Sequence, residues 1–394
     1  KMLVTTLDYN DYVGRIAIGR VFSGELKNKM DVYRVRPNNP TVRGKIAHLY
    51  TFQGVKRTEV DSAYAGDIVA LSGVEGVSIG DTLSEIESEP LYVIPIDQPV
   101  ISMMFAPNTS PFSGRDGKFL TARQIQARLL KELETNVAMR VEPTDRPDTF
   151  MVSGRGELHL GILIETMRRE GYEMQVSKPA AILHTDKDGN VTEPIEELTV
   201  DIPESYMGAV MEKLGPRRGL LQSSKKLPDN YIRLIFTVPA RGLLGFRSLF
   251  LTLTNGYGTM NQAFFDYEPY RGDIPQERNG VMISMESGWS TAYAIKNLAE
   301  RGVLFYAPME EIYEGLVVGE RPYPVDMYVN ITKKKHLTNV RSSTSEELER
   351  LTPPRRMSLD QALEYVADDE WVEVTPKACR IRKREINFKK RTGG

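Results

Sequence analysis

Residues 121–136, TARQIQARLLKELETN, carry Ile125, Leu129, Leu130 and Leu133 at helical spacing. That spacing predicts an amphipathic helix, and its surroundings decide the fold. Before it lies the strand-like PVISMMFAPN (99–108). After it come VAMRVEPT (137–144) and TFMVSGRG (149–156), two short strands about an Asp- and Pro-containing turn. A second helix over 157–170 directs Leu158, Ile162 and Met167 towards a core, and YEMQVSKPAAIL (172–183) follows as a strand. The order over 97–176 is β-α-β-β-α-β, the split βαβ or ferredoxin-like arrangement.

Moving outward, the same order recurs over 178–270. IEELTVDIP (195–203) reads as a strand, and ESYMGAVMEKLG (204–215) as a helix closed by Gly215 and Pro216. GLLQSSKK (219–226) and YIRLIFTVPA (231–240) pair across the turn LPDN. One helix is expected over LLGFRSLFLTLTNG (243–256), then a last strand in TMNQAFFDYEP (259–269).

Residues 1–92 hold only short Val-, Ile- and Gly-rich runs broken by turn signals, with no helical stripe. Closing such strands removes exposed edges, so a closed or nearly closed β-barrel is expected here. Over 271–394 the pattern is mixed α/β, and EWVEVTP (370–376) with ACRIRKREI (378–386) reads as a closing hairpin. Ser358 stands three residues before Gln361, a capping-box spacing that starts the helix LDQALEYVADD.

The 394 residues are 41% hydrophobic and 26% charged, ordinary globular composition sufficient for several domains. A formal net charge of -2 excludes indiscriminate coating of nucleic acid, so any polyanion contact must be local. The single cysteine, Cys379, excludes an internal disulfide and a cysteine-cluster metal site. No apolar run reaches the ~18 residues of a membrane span, and no secretory leader precedes the first strand-like run. Because that run starts at Met2, the chain reads as part of something longer.

Catalytic constellations are lacking. SGRDGKFL (113–120) supplies Lys118 but puts Phe119 where a phosphate-binding loop needs a hydroxyl. Glu157 and His159 sit two apart, so on a helix they do not face each other; a helix-start role for Glu157 fits better. Arg155, and Arg241 with Arg247 in ARGLLGFRSLF (240–250), offer anion or interdomain contacts at strand-to-helix corners. The stronger signal is a set of separated basic elements. KKKHLTNVRSS (333–343) mixes Lys333, Lys334, Lys335 and Arg341 with His336, Thr338 and Asn339, suited to a sugar-phosphate backbone. Arg355 and Arg356 follow two prolines. In CRIRKRE, Arg380, Arg382 and Arg384 would share one strand face, with Lys383 between them, as a phosphate-tracking stripe.

Several runs carry a resemblance through the whole chain: LDYNDYVGRIAIGRVFSG (7–24), SGRGELHLGILIETMRREGYE (153–173), PARGLLGFRSLF (239–250) and GVLFYAPMEEIYEGLVVGE (302–320). KKKHLTNVRSS and TPPRRMSLDQALEYVADDEWVEVTPKACRIRKRE (352–385) complete the series. In order and wording they resemble the TypA/BipA family of ribosome-associated translational GTPases; GRGELHLGIL alone is shared with elongation factor G. The segment GERPYPVDMYVN (319–330) departs from the polar turn the family would show there.

The resemblance implies a translation-factor β-barrel at 1–92, ferredoxin-like domains at 97–176 and 178–270, the latter like the elongation factor G C-terminus, and a family-specific domain at 271–394. The GTPase domain, with its GTP and Mg2+, would lie outside these residues, leaving this chain with no cofactor, metal or catalytic residue. It further implies a cytoplasmic monomer bound to the 70S ribosome and large subunit, to ribosomal RNA and to A-site transfer RNA, in ribosome assembly or stress-adapted translation. The contact surface carries over onto Lys333–His336, Thr338, Asn339 and Arg341, with Arg355, Arg356 and 380–384 beside it. A non-ribosomal module binding structured RNA or a regulatory protein is the alternative class.

Overall fold

The computed structural model describes residues 1–37, 39–54, 56–91, 98–275, 278–334 and 351–387. The chain forms two units, residues 1–99 with 126–141, and residues 100–125 with 142–394. The division falls within the helix Ala122–Leu133 and the strand Arg140–Pro143.

In the first unit, an eight-stranded antiparallel sheet grows from the hairpin Met2–Asn10 and Gly14–Val21. One flank adds Thr82–Ser84, Asp31–Val35 and Val42–Lys45; the other adds Ile68–Ser72, His48–Gln53 and Lys56–Glu59. Met2, Val4, Leu7, Ala17, Leu49, Leu71 and Leu83 form its core. Here the expectation of a closed barrel is corrected: among the described residues the outermost strands do not pair, and the sheet is open. Both outer strands, VRGK and KRTE, are four residues long, charged and mostly exposed. Short charged edges resist further pairing. A separate two-stranded sheet, Glu25–Lys27 with Ser62–Tyr64, sends Leu26 and Ala63 into the same core, so the apolar face is covered by packing rather than by closure.

The second unit starts at the strand Ile101–Pro107, followed in chain order by the straddling helix and strand, then by Phe150–Gly154, the helix Glu157–Glu170 and Met174–Val176. Ile101–Pro107 lies between Phe150–Gly154 and Met174–Val176. Leu160, Leu163, Ile164 and Met167 are buried along the helix, three to four residues apart. The helix ends at Gly171 in the left-handed region, its N–H closing on Arg168 and Met167 carbonyls. Leu158 and Ile162, expected in a core, are instead exposed.

The second β-α-β-β-α-β run is one antiparallel sheet in the spatial order Leu220–Lys226, Tyr231–Pro239, Val191–Pro203, Thr259–Pro269. Its helices, Met207–Leu214 and Phe246–Leu253, join the strands in a core of Leu198, Val200, Val210, Leu234, Phe246 and Phe250. The single helix expected over 243–256 is two, Ala240–Leu243 and Phe246–Leu253. Leu244 is extended and Gly245 has φ 66°, a conformation that interrupts the helix and favours glycine.

The remaining residues build a small sheet in the order Val303–Leu304, Val317–Glu320, Val281–Ser284, Met327–Val329, the last strand parallel to its neighbour. Two helices accompany it, Ala292–Ala299 and Leu359–Tyr365, and Ser358 with Gln361 makes both halves of the capping box. The hairpin Glu370–Val374 and Cys379–Lys383 does not close this sheet. It extends the Ile101–Pro107 sheet instead, Met174 lying opposite Val374 and Val176 opposite Val372. Residues nearly two hundred apart in the chain thus share one continuous ladder.

Candidate nucleic-acid interface

The basic stretch at 333 leaves the small sheet through a fixed root. Met327–Val329 runs beside Val281–Ser284, and the Asn330 side chain then accepts hydrogen bonds from Thr332 N (3.0 Å) and Thr332 Oγ1 (2.9 Å). Thr291 caps the helix Ala292–Ala299, accepting from Ala294 N, and its hydroxyl donates to the Lys333 carbonyl at 2.6 Å. Lys333 and Lys334 project from this root and are exposed. Lys335, His336, Thr338, Asn339 and Arg341 lie outside the described residues.

Arg355 and Arg356 are exposed but not idle. Arg355 meets Glu320 at 2.6 Å, its backbone N–H donates to Leu304, and Arg356 pairs with Glu310. Side-chain hydrogen bonding to Glu310 raises the Arg356 pKa further. Pairs this exposed contribute about 0–1 kcal/mol, so both guanidiniums can exchange partners at low cost.

The charges of Cys379–Lys383 are placed differently. Arg380 pairs at 2.9 Å with Glu373, whose side chain is wholly buried and which also accepts from Tyr313 Oη at 2.7 Å. Arg382 is 1% exposed and donates to Thr109 Oγ1 (2.8 Å), the Lys383 carbonyl (3.0 Å) and Gln175 Oε1. Burial lowers its pKa, against opposing pulls from Tyr313 and Glu373. Lys383 is buried among Asp326 (2.8 Å), Asp369 (2.8 Å) and Glu370 (3.1 Å); burial lowers its pKa, but the three carboxylates outweigh it and hold the ammonium charged. Arg384 stacks over Trp371 at 4.8 Å. Arg380 and Lys383 thus neutralise the buried Glu373 and Glu370, while Arg382 ties the added hairpin to Thr109 and Gln175.

At the corners singled out in the sequence, Arg155 is exposed and its backbone N–H donates to His159 Nδ1 at 3.2 Å. Arg241 pairs with the fully buried Glu193 carboxylate and packs 4.2 Å from the Tyr270 ring, so it serves its own fold. Arg247 lies exposed in the first turn of Phe246–Leu253. Nearby, Glu157 accepts from Gly245 N at 3.2 Å, and burial pushes its carboxyl up to about 7. A Cβ at Gly242 would stand 2.5 Å from the Arg217 carbonyl, the close approach that requires glycine there.

The sequence reading missed Arg115, Glu310 and Glu311. Arg115 pairs with Glu311 and lies over Phe112 at 4.1 Å. The signal was present as the acidic PMEEIYE (308–314) set against the basic PPRRM, but neither run shows which charges meet. Among the described residues no group of three or more His, Cys, Asp or Glu could hold a metal ion, and no helix is long and apolar enough to cross a membrane.

Comparison with known proteins covers most of this architecture. Residues 1–86 match the family description elongation factor G domain 2, residues 190–278 the elongation factor G C-terminus, and residues 279–388 the TypA/BipA C-terminal domain. A large ribosomal subunit assembly factor BipA from Bacillus subtilis is 47% identical over 390 residues, 98% of this chain and 64% of its own length. The protein of that name from Synechocystis is 47% identical over 384 residues, covering 97% and 64% respectively. That of Escherichia coli K12 is 45% identical over 388 residues, covering 98% and 64%. The chain therefore spans somewhat under two thirds of these relatives, and none of its three matched regions is a GTPase domain. Similarity that runs through 98% of the residues, together with the match at 279–388, places this chain in the TypA/BipA family.

Proposed function

We propose that this chain is the ribosome-docking portion of a translational GTPase acting in large-subunit assembly. The carrying observation is 47% identity across 98% of the chain to a protein named as a large ribosomal subunit assembly factor. In this reading the longer protein binds GTP and Mg2+ and hydrolyses GTP through residues outside this chain, in the cytoplasm and as a monomer.

The basic loop rooted at Lys333 is its main RNA contact. Lys333 and Lys334 are exposed on a root held by Thr291, and Lys335, His336, Thr338, Asn339 and Arg341 continue the surface in sequence. Lysines supply phosphate attraction, while Thr338, Asn339 and Arg341 supply geometry on ribosomal or A-site transfer RNA, including 2′-hydroxyl contacts. Arg355 and Arg356, which follow these residues in sequence, add exchangeable guanidiniums. Arg380, Arg382, Lys383 and Arg384, engaged by their intrachain partners, hold the hairpin of the same domain in place.

Co-sedimentation of the chain with 70S ribosomes and isolated large subunits, against free structured RNA at the same salt, tests the reading. Selective recovery with large subunits or ribosomes is expected. Equal recovery with any structured RNA would support a general RNA module instead, and no recovery would remove both.

A further inference from the structure

A cavity of about 400 Å³ opens at the foot of the basic loop, bounded by Phe112, Arg115, Tyr306, Glu310, Arg356 and Cys379 among others. Its position follows from a short chain of contacts. Thr291 holds the Lys333 carbonyl, the adjacent Ser290 N–H donates to the Glu310 carbonyl at 2.8 Å, and the Glu310 carboxylate takes Arg356. The loop root and the cavity wall are therefore one hydrogen-bonded unit.

The lining has two kinds of charge. Arg380 is fixed, because Glu373 behind it is fully buried. Arg115 and Arg356 are movable: their side chains are 49% and 57% exposed, and their partners Glu311 and Glu310 are 39% and 29% exposed. Such pairs contribute little net stability, whereas a phosphate matches the guanidinium fork and takes both of its hydrogen bonds. Turning the arginines to a phosphate releases two carboxylates facing the same space. A bare anion would be repelled by them; a ligand carrying both a phosphate and N–H donors satisfies both halves. We propose that this cavity is a subsite for one unpaired nucleotide, its phosphate held by Arg356 and Arg115 and its base edge held by Glu310 and Glu311.

The volume lies within the range of about 300–1,000 Å³ that encloses small ligands. The Tyr306 ring and the Arg380 guanidinium, itself packed 5.2 Å from the buried Phe112 ring, line the cavity and give the base surfaces to lie against. Guanine, with adjacent N1–H and N2–H donors, suits a carboxylate better than uracil, which offers N3–H alone. The site deepens the RNA reading above by naming what its base would hold, and it rests on that reading for its biological source, an unpaired RNA nucleotide rather than a free one.

Cys379 makes the test direct, since it is the only cysteine of the 394 residues and lines the cavity. Its reaction with methyl methanethiosulfonate is followed by intact mass, with and without millimolar 5′-GMP, 5′-UMP or inorganic phosphate at matched ionic strength. GMP is expected to slow labelling several-fold, UMP less, and phosphate not at all. In Arg356→Gln the labelling rates with and without GMP should become equal. Saturation-transfer difference spectra of GMP, lost in Arg356→Gln, read occupancy without the thiol. An RNA hairpin with one bulged guanosine should protect at lower concentration than GMP, and a fully paired hairpin should not. No GMP signal in either assay, protection by phosphate equal to that by GMP, full protection in Arg356→Gln, or equal protection by both hairpins would overturn the subsite. Loss of ribosome recovery with GMP protection intact would instead remove the docking reading and leave the cavity as a nucleotide site.

Discussion

Glu196 sits inside the strand Val191–Pro203, opposite Val238 on one side and Phe264 on the other, and is 4% exposed. Burial alone raises its carboxyl from an ordinary 4.5 to about 7. Below pH 4.5 both folded and unfolded chains carry the proton, and the group has no effect on stability. Between 4.5 and 7 the folded chain keeps a proton that the unfolded chain releases, so stability falls by about 1.4 kcal/mol per pH unit. Above 7 the loss is complete, about 3 kcal/mol. Glu196→Gln removes this dependence while retaining the shape. Relative to the parent chain, the variant should gain about 2.5 kcal/mol between pH 5 and pH 8. Glu157, raised for a similar reason, is present in both proteins and cancels. Urea series at the two pH values, read by hydrogen-exchange mass spectrometry on peptides from Val191–Pro203, measure the difference locally. An equal stability difference at pH 5 and pH 8 would refute the assignment of a desolvated carboxylate to this strand.

Three further outcomes are expected. Arg382→Ala empties a buried site and strands Gln175 and Thr109, so it should cost about 3–5 kcal/mol and shift the urea midpoint of the shared sheet; an unchanged midpoint would show that the guanidinium does not tie the hairpin to the sheet. Neutralising Lys333, Lys334 and Lys335 together should leave circular dichroism unchanged and flatten the salt dependence of ribosome binding by up to about three phosphate contacts, roughly 0.7–0.9 in log–log slope each. An unaltered slope in the folded triple variant would show that these lysines make no phosphate contacts. Thr291→Ala removes the cap of Ala292–Ala299 and the anchor of the Lys333 carbonyl, and should cost about 1 kcal/mol, seen as faster exchange in that helix.

What the sequence determined by itself is whatever depends on neighbours along the chain. The stripe of Ile125 and Leu129 places a helix because side chains three and four apart share a face; the helix over 157–170 was equally legible, but its buried face was not, since Leu158 and Ile162 are exposed and Leu160 and Ile164 are buried beside Met167. The Ser358–Gln361 spacing determined a helix start because both of its hydrogen bonds are local. The exposed lysines at 333 and 334 were likewise legible, since a run with so few apolar residues has little to bury. Local signals do not say how a sheet ends or which charge meets which. Whether Val42–Lys45 and Lys56–Glu59 pair depends on long-range register and edge geometry, and the sheet stays open. The hairpin at 370–383 was readable as a hairpin, but its attachment to Met174–Val176 required the folded sheet. The alternation of Arg380, Arg382 and Arg384 marks a strand face without revealing that Gln175 and Thr109 meet Arg382 on that face. Charge is a property of the residue, whereas its availability to a ligand is a property of the partners that tertiary structure brings within reach.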